Sequence, residues 1–176
     1  MRRDTTTYRL AAAGVCGAIT LLLTWLGAIP IPMPGGVGYL NLGDAGVLLS
    51  ACLLANEKLG IGGKRAALYA AAAAGIGSAL ADVLAGFALY APVTFAVKGL
   101  LALGCVLLLC AFPRKLRALA LLLPAPIVPL GYLCYELLLY GNTALANVPA
   151  NALQVLVGAV LAYAASAAFS NPPKRN

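Results

Sequence analysis

The chain has 176 residues, 62% of them hydrophobic and 10% charged, with a formal net charge of +7 and no histidine. A chain this apolar cannot cover a soluble globule with polar surface, which assigns it to a bilayer. The missing histidine removes HExxH zinc chemistry, His-based nucleophile activation and the commonest metal and haem ligand, and the basic residues sit in short clusters between apolar runs rather than along a face suited to nucleic acid.

A bilayer core about 30 Å thick needs about 20 residues of apolar helix. Six runs meet that ruler, near 10–29, 42–56, 66–86, 92–112, 117–140 and 147–169. The expected architecture is therefore one all-α membrane domain over 1–176, a bundle of six transmembrane helices. The second run is short, so five spans is the main rival. Arg2 and Arg3 precede the first run as a signal peptide's charges would, but the run exceeds a usual signal core and further spans follow it.

Within span one, small residues over 11–17 allow close helix approach, and Ala13 and Gly17 lie four apart. The next connection, IPIPMPGGVGYLNLGD over 29–44, carries three prolines and four glycines and cannot be helix. Stiff in its first half and free in its second, it suits a flap over an outward pocket. Asn41 and Asp44 close this segment as span two begins. After span two, LGIGG at 59–63 precedes Lys64 like a phosphate loop, but Arg65 replaces the hydroxyl residue and Lys58 the first glycine of GxxxxGK[ST], which argues against nucleotide binding.

Spans three to six carry the remaining intramembrane charges. Asp82 lies late in span three above Ser78, Lys98 early in span four near Thr94 and Phe95, and Glu136 late in span five beside Tyr132 and Tyr135. Asn147, Asn151 and Gln154 form a polar stripe into span six. The cysteines, Cys16, Cys52, Cys105, Cys110 and Cys134, form no CxxC pair, lie in apolar runs and read as small core residues.

Lys and Arg accumulate in cytoplasmic flanks, and eleven of the twelve basic residues fall at the chain ends and in the alternate connections around 58–65 and 114–117. The connections 29–41, 87–91 and 141–146 carry none. This predicts both termini inside the cell. Asp44, Asp82, Lys98 and Glu136 then gather in the outer third of the membrane from four different spans. An intramembrane charge costs at least about 2.5 kcal/mol, so each needs a partner or a wet cavity. Two uses fit: a solute site, or an Asp82–Lys98 strut with Asp44 and Glu136 among headgroups. Eight of thirteen aromatics share the outer side, some of them as an interfacial belt, with Phe95 and Tyr135 placed to stack a flat ring.

The segments GYLNLGDAGVLLSACLL and GIGSALADVLAGFALYAPVTFAVKGL, with the six-span layout, resemble the substrate-binding S components of energy-coupling factor (ECF) transporters, in particular the riboflavin-type and hydroxymethylpyrimidine group. The resemblance is strongest over 38–100. It implies capture of a vitamin or precursor from outside, no ATPase, enzyme activity or cofactor in this chain, a bacterial-type plasma membrane, and docking on one membrane coupling subunit and two ATPases. Docking in the family uses small residues of the first helix, often AxxxA, which Ala13 and Gly17 nearly match. The substrate contacts expected here are Asp82, Lys98, Glu136, Asn151, Tyr135, Phe95, Asn41 and Asp44. A stand-alone channel or proton-coupled carrier, and a ligand-free membrane scaffold, are the competing readings.

Overall fold

The computed structural model describes residues 5–33, 36–56 and 62–170. The phosphate-loop-like segment up to Ile61, and the basic residues Arg2, Arg3, Lys58, Lys174 and Arg175, lie outside the described residues.

Helix α1 (Thr5–Trp25) is followed by strands β1 (Ile29–Met33) and β2 (Gly36–Leu40), then α2 (Gly43–Leu54), α3 (Arg65–Leu84) and α4 (Ala91–Ala111). A short 3-10 turn (Arg114–Leu116) leads into α5 (Arg117–Leu122) and α6 (Ile127–Tyr140), and a second (Gly141–Asn147) into α7 (Val148–Ser170). The architecture is helical, as expected. Among the described residues, four stretches are long and apolar enough to cross a membrane: Thr6–Trp25, Arg65–Leu84, Ala91–Ala111 and the composite run Arg114–Ala167. At 1.5 Å per residue, the 20- and 21-residue helices among them reach about 30 Å.

Two expected spans depart from straight membrane-length helices. α2 has only 12 residues, about 18 Å of helix. Ten of its residues are buried, and it packs against α1, α3, α4 and α7, so it forms the centre of the bundle. A helix apolar on all sides belongs in such a position. The run at 117–140 is divided at 123–126, where Pro124 and Pro126 remove amide donors and their rings crowd the preceding turn.

The segment after α1 is non-helical, as its prolines require, but it is paired: β1 and β2 form an antiparallel hairpin in which Ile29 faces Leu40, Pro30 faces Tyr39 and Ile31 faces Gly38. A two-stranded ribbon has an open edge on each strand, so Pro30 and Pro32 cost it little.

Small residues set the closeness of the helices. A Cβ on Gly77 of α3 would overlap the Gly17 carbonyl of α1, and one on Gly158 of α7 would come 2.7 Å from Asp44 Cβ and 2.8 Å from Ala45 N of α2. Such contacts supply the van der Waals packing that joins helices where lipid removes the hydrophobic drive. Hydroxyls add to it, with Ser50 donating to the Cys16 carbonyl at 3.2 Å and sharing a hydrogen bond with Thr20 at 3.4 Å. Large apolar side chains such as Leu22, Ile76, Leu100, Leu138 and Val160 point outward, as a lipid-facing surface demands.

Candidate functional site

Charged and amide side chains from three helices meet where the hairpin joins α2. Asp44 stands in the first turn of α2 and is fully buried. Lys98, two turns into α4 and 2% exposed, places Nζ 2.6 Å from Asp44 Oδ1. The second carboxylate oxygen accepts from Gln154 Nε2 of α7 at 2.9 Å. Gln154 Oε1 in turn accepts from the backbone N–H of Asn41 at 3.0 Å, the residue next to β2. Asp44 thus has both oxygens occupied, which offsets the desolvation that an isolated carboxylate would suffer here.

Tyr132 of α6 closes the other side of this pair. Its ring centroid lies 5.4 Å from Lys98 Nζ, within cation–π range, and its hydroxyl shares a 2.9 Å hydrogen bond with Thr94.

A second set of contacts surrounds Glu136, which is 3% exposed. Its Oε2 accepts from Asn147 Nδ2 at 2.9 Å and its Oε1 from the Tyr90 hydroxyl at 3.3 Å. Tyr90 stands in the connection before α4, and its hydroxyl is 3.5 Å from that of Tyr140. Burial first, then the Tyr140 hydroxyl and the Glu136 charge, push the Tyr90 pKa up and keep it a neutral donor. Tyr135 stacks edge-on against Tyr90 with centroids 5.6 Å apart, and donates to the Leu89 carbonyl at 2.6 Å.

The sequence expectations divide accordingly. Asp44 and Lys98 belong to the first set of contacts and Glu136 to the second, and Asp82 is buried. Lys98 pairs with Asp44, which is fully buried and so is not among headgroups. Asn41 contributes its backbone, while its side chain accepts from Gly43 N at 2.7 Å and shapes the entry to α2. Tyr135 fastens the 3–4 connection at the edge of the site. Asn151 is half-buried on the helical face between Asn147 and Gln154, and its amide makes no hydrogen bond among the described residues.

Phe95 stands apart from these contacts. It is 48% exposed, and a Cβ on Gly75 of α3 would touch its ring at 2.9 Å, so it covers a close helix crossing from outside and does not join the network. Helical phase explains this: Thr94, Val97, Lys98 and Leu101 take the inward face of α4. Ala13 and Gly17 are likewise used inside the bundle. Ala13 packs on the core, and Gly17 meets Ala73 and Gly77 of α3. The outward side of α1 carries Leu10, Gly14, Val15 and Leu22 instead.

Gln154, Tyr132, Thr94 and Asn147 were legible as polar neighbours but not as the principal contacts, and Tyr90 only as one of the outer aromatics. Spacing puts residues on a face without saying which of them reaches another helix.

Apolar helices of membrane length around a buried ionic and amide network define a polytopic membrane protein with a polar interior near one end. The chain belongs to the S-component family of ECF-type riboflavin transporters, whose family model matches residues 4–170. None of the curated proteins compared with the chain matches it. Membership makes the chain a substrate-binding component of a vitamin-uptake transporter rather than an enzyme.

Proposed function

We propose that this chain captures a small, uncharged heteroaromatic vitamin of the riboflavin class from the outer side of the plasma membrane, and delivers it with a membrane coupling subunit and two ATPases. The chain would cross the membrane six times, with α5 and α6 sharing one crossing and both termini inside. The observation that carries the reading is the convergence of Asp44, Lys98 and Gln154 from three helices beside the hairpin, with a second buried acid, Glu136, on a fourth. A bundle held only by packing has no need of such groups, since burying them costs stability that apolar side chains would not.

Charge narrows the ligand. Asp44 and Lys98 cancel, while buried Glu136 accepts from the neutral donors Asn147 and Tyr90, which leave its charge in place. That field disfavours a phosphate ester and suits a neutral ring with hydroxyl groups. Asn151 has an uncommitted amide on the same helical face and is the group best placed to read such a ligand.

Calorimetric titration of the purified full chain in detergent or nanodiscs tests this, with riboflavin and its phosphate ester as paired ligands. The free vitamin should bind and the ester should bind far more weakly. Retention of full affinity by both Lys98→Ala and Asp82→Ala would remove the proposed site. Uptake into liposomes without any ATPase would indicate a self-sufficient carrier instead.

A further inference from the structure

Gln154 is the covalent unit through which the hairpin and the buried ion pair meet. We infer that it is a positioning residue that makes the seating of the hairpin depend on the Asp44–Lys98 pair. Its amide is used at both ends: Oε1 takes the Asn41 N–H at 3.0 Å and Nε2 gives to Asp44 Oδ2 at 2.9 Å, while Asp44 Oδ1 holds Lys98 at 2.6 Å. Gln154 is 9% exposed and Asp44 fully buried, so water cannot readily replace either bond.

The arrangement has a direction. An amide has one acceptor end and one donor end, and a carboxylate accepts only, so Nε2 must face Asp44 and Oε1 must face the strand end. Asn41 also accepts from Gly43 N with its side chain, which joins the end of β2 rigidly to the first turn of α2 where Asp44 stands. Whatever moves the Asp44 carboxylate turns the Gln154 amide, and with it the acceptor that holds Asn41. A solute that engages Lys98 or Asp44 would thereby loosen or tighten the hairpin without touching it. This inference rests on the proposed site, but the linkage exists in the ligand-free chain and can be tested there.

The test is hydrogen–deuterium exchange of the peptide covering Gly36–Leu40 and Asn41, read by mass spectrometry on ligand-free protein in nanodiscs. Gln154→Met should speed exchange of this segment about tenfold relative to the middle of α4, as expected for loss of one buried hydrogen bond. Lys98→Met, on α4 and outside the hairpin, should also speed it. In the Gln154→Met background the Lys98 substitution should add nothing. An unchanged hairpin in Gln154→Met, no effect of Lys98→Met, or equal effects of Lys98→Met in both backgrounds would each overturn the coupling. Val128→Ala, a core change in α6 outside the network, guards against general loosening: if it reproduces the same local pattern, Gln154 is only structural. Failure of riboflavin to bind would count against the proposed substrate and leave these outcomes readable. If riboflavin does bind, Gln154→Met should raise its dissociation rate more than it lowers its association rate.

Discussion

Lys98 and Asp44 lie 54 residues apart in the chain and 2.6 Å apart in the fold, both almost wholly buried. Burying two charges is costly, and their attraction returns that cost only while both are present. Removing one partner should therefore harm the protein more than removing both. Lys98→Met or Asp44→Leu alone should cost about 3–5 kcal/mol, whereas the double variant should recover most of it. Thermal unfolding in a fixed detergent would show this, with equal losses in single and double variants counting against a tight pair.

Around Glu136, removal of donors should give graded effects. Asn147→Ala deletes the 2.9 Å contact to a buried carboxylate and should cost about 1–3 kcal/mol. Tyr90→Phe deletes the longer 3.3 Å contact and should cost less. The reverse order in denaturation midpoints would mean that Tyr90, not Asn147, secures this acid.

Phe95 and Asn151 make opposite predictions for binding. Phe95→Ala should change vitamin affinity less than about twofold, because its ring faces outward, although it should lower stability by leaving a void against Gly75. Asn151→Ala should weaken binding about tenfold, the value of one ligand hydrogen bond, with little change in melting temperature. Titration and melting curves on the same preparations separate the two effects.

Among the glycines, local space sets the outcome. Gly158→Ala would drive a methyl group into Asp44 and Ala45 and should destabilise by about 1–3 kcal/mol while weakening ligand binding through the displaced carboxylate. Gly14→Ala meets nothing within 4 Å and should be neutral or slightly stabilising, by up to about 1 kcal/mol of helix propensity.

Orientation is open to direct measurement. In a variant lacking the five native cysteines, a thiol introduced by Pro32→Cys should react with an impermeant reagent added outside intact cells. A thiol introduced by Arg114→Cys should react only after the membrane is opened. The opposite pattern would invert the assignment of the hairpin to the outer side.

Much of this protein is written directly in the order of its residues. Apolar run length located α1, α3, α4 and α7, since the bilayer imposes a span that each helix must meet by itself. Prolines at 30 and 32 barred helix from the first connection for the same local reason. The rarity of intramembrane charge singled out Asp44, Asp82, Lys98 and Glu136 before any contact was visible. Tertiary structure decided the rest. It paired Lys98 with Asp44, turned Phe95 toward the outside, and placed Gly17 against α3. It also gave Gln154 two partners more than 100 residues away. Helical spacing specifies a face, but which faces meet depends on crossing geometry and on where small residues let backbones approach, and those depend on all the helices together.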